Sequence, residues 1–189
     1  ISGVRGTIGG FAGANLSPID IVKFASAYGQ WLLNQNRGKT VVLGRDARPS
    51  GEMVSALVTH TLTALGIDVV DAGLATTPTV EMAVVFEQAA GGVILTASHN
   101  PIEWNALKLL NHKGEFISAA EGDAILQAYA QPDSISFAPV QGLGKVRKDD
   151  SFLEKHIDAI LALPLVDAEA IRKANFSVAV DAVNSVGGI

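Results

Sequence analysis

The sequence predicts an α/β fold: a three-layer α/β/α sandwich with a mixed, mostly parallel sheet. Short apolar runs bounded by glycine or polar residues alternate with longer segments whose apolar residues recur at helical spacing. A hairpin signal at residues 111–114 interrupts this alternation, so one antiparallel strand is expected beside the parallel ones. A late apolar run at residues 176–180, followed by a Gly-rich turn, has the pattern with which a βα unit begins. It predicts the truncated start of a second α/β domain.

The individual elements are predicted from local signals. The first 15 residues contain five glycines, which predicts a loop or a weak strand pair. Helices are expected over residues 18–35, 51–65, 78–88, 119–129, 150–163 and 167–174. Strands are expected over residues 40–44, 67–72, 93–97, 107–110, 115–117 and 176–180. The expected helix N-caps are Ser17, Ser50, Thr77 and Ser118.

The domain organisation depends on how residues 176–180 are interpreted. We expect residues 1–150 to form one domain, residues 151–174 a helical connection, and residues 175–189 the truncated start of the second domain. A parallel strand normally continues into a crossover helix, which does not follow this run. The alternative is that residues 176–180 are the last strand of the first sheet.

Composition excludes several classes of function. The chain has 189 residues, 48% of them hydrophobic and 17% charged, and a domain of this length buries roughly 70% of its unfolded surface. The net charge is −5 and no basic stripe is present, so we expect no nucleic-acid partner. No apolar stretch reaches about 18 residues and no signal peptide is visible, so we expect a cytoplasmic protein with no membrane partner. The absence of cysteine excludes disulfides and thiolate metal sites.

The most informative segment surrounds Ser98. Ser98, His99 and Asn100 follow the apolar run 93–95, and Pro101 then stops further strand pairing. Ligands of open α/β sheets bind at the carboxyl ends of strands, so a reactive hydroxyl there could reach a substrate. Adjacent side chains on an extended segment face opposite ways, which argues against a direct Ser98–His99 proton relay. The alternative is a loop-capping serine beside a hydrogen-bonded histidine.

Two cationic side chains could meet Ser98. Lys108 begins the returning hairpin strand, where an ammonium could bind phosphate or donate a proton. It could equally be a solvated lysine of an edge strand. Arg5 lies among glycines that let the main chain approach an anion, and its guanidinium can hold a phosphate in a bidentate fork.

A charged loop, residues 45–51, ends the first predicted parallel strand. It could line the same edge of the sheet as Ser98, but we favour a structural role in which Asp46 pairs with Arg45 or Arg48. The remaining histidines are spaced unlike metal ligands and are expected to be structural or exposed: His60, His112 and His156.

Taken together, these segments resemble the α-D-phosphohexomutase family, which comprises phosphoglucomutases, phosphomannomutases and phosphoglucosamine mutases. The matching motifs are TASHNP at residues 96–101, GRDxRxSG at residues 44–51 and SGxRG at residues 2–6. The resemblance implies an intramolecular phosphotransferase that interconverts hexose 1-phosphates and 6-phosphates. A phosphoserine at Ser98 would donate its phosphoryl group to the sugar phosphate, giving a hexose bisphosphate that serves as intermediate and activator.

The same resemblance implies roles for the other candidate residues. Mg²⁺ would be bound by Ser98 through its phosphate and by acidic residues of the family's second domain. Lys108 would act as general acid/base or phosphate partner, and Arg5 would be the N-terminal active-site arginine. The residues expected to orient the loop or bind substrate are His99, Asn100 and Asn105. Arg45, Asp46 and Arg48 are expected to contact these residues and hold them in place without touching the substrate themselves.

Two features set this chain apart from the family pattern. Many members have Asn-Gly where this chain has Asn105-Ala106, and the added methyl group makes any positive φ there costly. The family's metal, sugar-recognition and C-terminal phosphate loops belong to further domains of the protein, so the chain alone is expected to be inactive. Its sugar, whether glucose, mannose or glucosamine, would be selected there.

Two other functions stay open on the sequence. One is a serine hydrolase that uses Ser98 and a histidine, although no G-x-S-x-G motif surrounds the serine. The other is a non-catalytic module that binds a sugar phosphate.

Overall fold

A six-stranded mixed sheet organises residues 3–188, which are the residues that the computed structural model describes. The strands are β1 (Gly3–Thr7), β2 (Thr40–Arg45), β3 (Asp68–Leu74), β4 (Gly91–Leu95), β5 (Trp104–Leu110) and β6 (Val146–Lys148). The helices are α1 (Pro18–Asn34), α2 (Gly51–Ala64), α3 (Thr77–Phe86), α4 (Ala119–Ala130), α5 (Phe152–Leu161) and α6 (Ala168–Ala174). The predicted α/β class is therefore confirmed.

The order of the strands across the sheet is β1-β5-β4-β2-β3-β6. Strands β4, β2, β3 and β6 are parallel to one another, whereas β5 runs antiparallel to both β4 and β1. The carboxyl ends of β2 and β4 therefore lie together, with Arg45 paired to Leu95. The loops that follow these two central strands therefore leave the sheet at the same edge.

The core has two parts, one on each face of the sheet. Helices α1, α2 and α4 pack on one face, where side chains such as Tyr28, Val58 and Leu107 are fully buried. Helices α3 and α5 pack on the other face, over Val42 and Ile94. Burying both faces of a parallel sheet explains why its strands are continuous apolar runs rather than alternating ones.

The strongest local predictions hold at the helix starts. Ser17 and Ser118 each cap a helix in a capping box, with Asp20 and Glu121 as the acidic partners. Thr77 was the wrong choice of cap for α3: Thr76 has the extended backbone and accepts the bond from the Thr79 amide.

Other sequence predictions were incomplete. The predicted cap Ser50 makes no capping bond through its side chain. The prediction also omitted β6, a short exposed edge strand, and left β1 undecided between loop and strand. Both strands form because a neighbouring strand supplies their hydrogen-bond partners. Pairing of this kind does not require a strong apolar pattern, so the sequence does not reveal these strands.

The predicted strand at residues 176–180 is irregular and exposed within the described part of the chain, with Phe176 at 72% exposure. A lone extended segment leaves its amides and carbonyls without strand partners, so it gains nothing from a strand conformation here. The alternative, a last strand of the first sheet, is wrong for the same reason. No helix found in residues 3–188 combines the length and apolar character needed to cross a membrane.

Candidate active site

Two loops meet at the carboxyl ends of β4 and β2. Residues 96–103 follow β4, and residues 46–50 connect β2 to α2. A backbone hydrogen bond of 3.0 Å from the Asp46 amide to the Leu95 carbonyl joins them where they leave the sheet. The predicted charged loop and the predicted serine loop are thus neighbours.

Ser98 is exposed and has a left-handed backbone conformation, with φ of +56°. Its amide donates a 3.1 Å hydrogen bond to Oγ1 of Thr96, which is itself buried. A non-glycine residue in this region of φ is uncommon and is associated with functional sites when the surroundings enforce it.

A pocket of about 390 Å³ brings the three proposed catalytic residues together, since Arg5, Ser98 and Lys108 all line it. His99 lines the same pocket and is exposed. The antiparallel register places Arg5 opposite Ala106 and Gly3 opposite Lys108, so β1 and β5 carry the two cations next to the end of β4. A concave site with a hydroxyl and two cationic side chains is suited to a phosphorylated ligand.

Lys108 points to the same face of the sheet as α3, because its neighbour Leu110 packs in that part of the core. Its Nζ atom lies 5.9 Å from the centre of the Phe116 ring, a cation–π distance. Burial raises the pKa of Glu81 in α3, and the positive charge of Lys108 opposes part of that rise. The lysine ammonium thus lies over an aromatic face, and its charge acts on a nearby carboxyl group.

The charged loop is braced, as the sequence analysis favoured. Asp46 Oδ2 and Arg48 Nε form an ion pair of 3.2 Å, in which both side chains are largely buried. Arg45 uses its Nη1 atom to donate to the carbonyl of Asp46 instead of to the carboxylate. Arg48, and not Arg45, is thus the partner that neutralises Asp46.

Arg48 also reaches across to the serine loop. Its guanidinium donates to four carbonyl oxygens of that loop and of the residue that starts β5, at 2.7–2.9 Å. Those carbonyls belong to Ser98, Asn100, Pro101 and Trp104. The sequence does not reveal this contact, because every residue has a backbone carbonyl and no residue type marks the ones that Arg48 binds.

Asn105, the second residue of β5, is fully buried at 0% exposure. It connects the serine loop that precedes β5 to the charged loop. Its Nδ2 atom donates a 2.9 Å bond to the hydroxyl of Ser50, which stands at the N-cap position of α2 but makes no capping bond through its side chain. A fully buried amide favours an orienting role over direct contact with a substrate. Ala106 is a regular member of β5 and does not have a positive φ, so the methyl group at this position has no conformational cost.

Asn100 belongs to the same loop, and its amide donates a 3.1 Å bond to the Ala97 carbonyl. Its Oδ1 atom is buried and receives no hydrogen bond from the described residues. An unpaired buried acceptor destabilises the fold by about 1–3 kcal/mol, so other contacts of the loop must compensate for this cost.

A second, smaller pocket of about 260 Å³ adjoins Ser98 and Lys108. Ser185 and Val186 line it together with Thr76 and Thr77, which start α3. The sequence analysis assigned residues 184–187 to the beginning of another domain and gave them no part in the site. Only the fold of the chain brings them there.

Within residues 3–188, no three histidine or acidic side chains come close enough together to hold a metal ion. Asp46, the acidic residue of the neighbouring charged loop, is already paired with Arg48. Ser2, part of the predicted N-terminal motif, lies outside the described residues.

Comparison with known proteins gives a consistent result. The family described as phosphoglucomutase/phosphomannomutase, alpha/beta/alpha domain I, matches residues 1–136. A Thermococcus kodakarensis phosphoglucomutase/phosphomannomutase is 36% identical over 187 residues, which cover 97% of this chain and 40% of that protein. A Sulfurisphaera tokodaii phosphoglucosamine/phosphogalactosamine mutase is 30% identical over 187 residues, covering 99% of this chain and 39% of that protein. The chain thus spans about two fifths of the length of the curated relatives it matches.

Solved structures agree. A phosphoglucomutase/phosphomannomutase family protein from Burkholderia thailandensis superposes with a TM-score of 0.68 at 25% identity, covering 85% of this chain and 34% of that one. The open form of a Paramecium phosphoglucomutase, pp63/parafusin, has a TM-score of 0.73 at 17% identity and covers 99% of this chain and 38% of that one. The second likeness is one of fold alone.

Proposed function

Because the chain belongs to the phosphoglucomutase/phosphomannomutase family, we propose that it is the Ser98-bearing part of an enzyme that interconverts hexose 1-phosphates and 6-phosphates. The observation that carries the proposal is that Ser98, Arg5 and Lys108 all line the same pocket. Residues 1–150 are proposed as the first domain, residues 151–174 as the connection, and residues 175–189 as the start of the second domain.

In the proposed reaction Ser98 holds a phosphoryl group. A free hydroxyl of the bound hexose phosphate attacks that phosphorus, the bond from phosphorus to the serine oxygen breaks, and a hexose bisphosphate forms. After the sugar reorients, the Ser98 hydroxyl attacks the other phosphate and regenerates the phosphoserine. The proton of each attacking hydroxyl is transferred to the oxygen that leaves, with Lys108 as the proposed carrier.

The two cations supply what phosphoryl transfer most needs from a protein, which is positioning and neutralisation of charge. Arg5 can bind two phosphate oxygens in a bidentate fork, whereas Lys108 provides a compact charge close to the reacting oxygen. The exposed position of Ser98 suits a group that must meet two different phosphates of the sugar in turn.

Mg²⁺ fits the described residues only through the phosphate oxygens that Ser98 would carry, because no acidic cluster accompanies them in residues 3–188. Its further ligands are proposed to come from the remainder of the protein. When bound, the ion would neutralise part of the charge on the transferring phosphoryl group.

A coupled mutase assay on the intact enzyme tests the proposal. Ser98→Ala is expected to lower kcat on the order of 10⁶-fold, the scale seen when a serine nucleophile is removed from a hydrolase. Ser136→Ala, at an exposed serine remote from the pocket, is the matched control and should keep wild-type activity. Residues 1–189 alone should show no turnover in the same assay.

The hydrolase alternative gives a different result. A serine hydrolase would be labelled at Ser98 by a fluorophosphonate and would hydrolyse esters, whereas a phosphohexomutase would do neither. Full mutase activity in Ser98→Ala would refute the proposed function, and fluorophosphonate labelling at Ser98 would support the hydrolase.

A further inference from the structure

We infer that Arg48 is the residue that positions Ser98 for phosphoryl transfer, an inference that rests on the proposed function. Arg48 is remote in sequence from the serine and does not line the pocket of about 390 Å³ formed by the described residues. It acts on the serine through the main chain, so it is a positioning residue and makes no contact with substrate.

The guanidinium of Arg48 uses every donor it has. Nη2 donates to the carbonyls of Ser98 at 2.8 Å and Asn100 at 2.7 Å. Nη1 donates to the carbonyls of Pro101 at 2.7 Å and Trp104 at 2.9 Å. Nε completes the set with the 3.2 Å ion pair to Asp46. An arginine side chain has five N–H groups, so none is left over.

This arrangement requires an arginine. Four carbonyl oxygens that converge on one point repel each other unless a cation lies between them. A planar fork can bind them in pairs, whereas a lysine offers three donors from one atom and cannot reproduce the geometry. Asp46 balances the charge of the guanidinium, and the Arg48 side chain is only 11% exposed.

The serine loop needs such a support because its conformation is unfavourable in itself. Ser98 has a φ of +56°, and the buried Oδ1 atom of Asn100 lacks a partner among the described residues. A left-handed non-glycine residue costs roughly 1–2 kcal/mol. The bonds from Arg48 offset these costs, since charge-assisted hydrogen bonds contribute about twice as much as neutral ones.

The consequence for catalysis is the direction of the Ser98 side chain. The Ser98 carbonyl is held by Arg48 on one side, and its amide is held by Thr96 Oγ1 on the other. With both peptide groups fixed, the side chain is presented to the pocket shared with Arg5 and Lys108. Loss of the guanidinium would let the peptide rotate and move the hydroxyl away from the cations.

The test compares Arg48→Lys and Arg48→Ala with Arg37→Lys in the intact enzyme. Arg37 is exposed and takes no part in the site, so its variant should behave as wild type. For Arg48→Lys we expect kcat per folded molecule to fall about 100-fold while KM changes little, because a small displacement of a reacting group has an effect of this size. The amount of folded enzyme is measured by thermal unfolding and by the recovery of far-UV signal.

Chemical rescue distinguishes positioning from general stability. Guanidinium ions at concentrations below those that denature the protein should restore part of kcat in Arg48→Ala, whereas ammonium ions should not. A role in stability alone would lower the melting temperature and leave kcat per folded molecule unchanged. Wild-type kcat in folded Arg48→Lys would overturn the inference, as would equal rescue by ammonium.

The two proposals can fail separately. If Ser98→Ala retains activity, the proposed function is wrong. If Ser98→Ala is inactive and folded Arg48→Lys retains wild-type kcat, only the role of Arg48 is wrong. Should Arg48→Ala fail to fold, Arg48→Lys still decides the question, since it keeps the charge and most of the side-chain volume.

Discussion

The two halves of the sheet differ in how they are covered. In β2, β3 and β4 both faces are packed under helices, and Val42 and Ile94 are completely buried between the sheet and α3. In β1 and β5 one face packs against the core, through Val4 and Leu107, while the other carries Arg5 and Lys108. Arg5 is exposed and Lys108 is half-buried.

This difference separates stability from chemistry. The parallel half fixes the ends of β2 and β4, from which the two loops of the candidate site start. The antiparallel half leaves polar side chains and space for a ligand. Changes in β5 that face the pocket should therefore alter catalysis, whereas changes in β4 that face the core should alter the free energy of unfolding.

The largest effect in this comparison is expected for Lys108→Met in the intact enzyme. Removing one charged donor from a phosphoryl-transfer site should lower kcat about 10²–10³-fold, with little change in stability. A coupled mutase assay measures it, and Lys113→Met at the exposed tip of the hairpin is the control. Activity within a few-fold of wild type would mean that the open face of β5 does not bear the catalytic cation.

The next effect belongs to the covered half. Ile94→Ala leaves a cavity beneath α3 and should lower the free energy of unfolding by about 2–5 kcal/mol. Ile102→Ala is the control, since this side chain is 69% exposed in the serine loop and should change stability by no more than about 0.5 kcal/mol. Urea unfolding followed by circular dichroism gives both values, and equal effects would contradict the division between the halves.

A smaller effect is expected where α1 is joined to the sheet. The buried Tyr28 hydroxyl lies 3.0 Å from the Gly92 carbonyl and 2.7 Å from the Leu110 carbonyl, next to the β4–β5 boundary. Tyr28→Phe removes this donor and should cost about 1–2 kcal/mol in urea unfolding. Leu33→Ile on the same helix, with its side chain half-buried, is a control that keeps the hydrogen bond. An unchanged free energy for Tyr28→Phe would show that the carbonyls do not need the hydroxyl.

The smallest effect concerns pH. The hydrogen bond from Ser17 lowers the pKa of Asp20, although burial works in the opposite direction. A depressed pKa in the folded state stabilises the fold above the pKa of the unfolded chain, and this contribution disappears as the pH falls. Asp20→Asn should therefore be less stable than wild type near neutral pH, by up to about 1 kcal/mol.

The difference between Asp20→Asn and wild type should shrink as the pH falls below about 4, where the carboxyl of the unfolded chain takes up its proton. Urea unfolding at a series of pH values measures this. Asp123→Asn, at an exposed position of α4, controls for a general change in charge. A difference that grows toward acid pH would contradict the assigned direction.

Sequence reasoning succeeded where the signal is local. Ser17 and Ser118 were predicted as helix caps, and each accepts a hydrogen bond from the amide three residues further on. The apolar runs of β2 and β4 are buried on both faces and so are visible in the sequence. That the polar residues after these runs share one edge of the sheet was left open on the sequence beside the favoured bracing role of Asp46, and the structure has both.

The rest depends on contacts between distant parts of the chain. Strand β1 is Gly-rich and forms because β5 offers it hydrogen-bond partners. The approach of Ser185 to Ser98 arises from the path of the whole chain. The carbonyls that Arg48 binds belong to the main chain and have no residue-specific signal.

The most direct test of the account follows the phosphoryl group itself. The intact enzyme is incubated with glucose 1,6-bisphosphate, and the peptide containing Ser98 is analysed by mass spectrometry before and after a chase with excess hexose monophosphate. The account predicts one phosphoryl group on Ser98 that the chase removes as bisphosphate appears. A Ser98 that stays unmodified, or a phosphate that turns over on another residue, would contradict it.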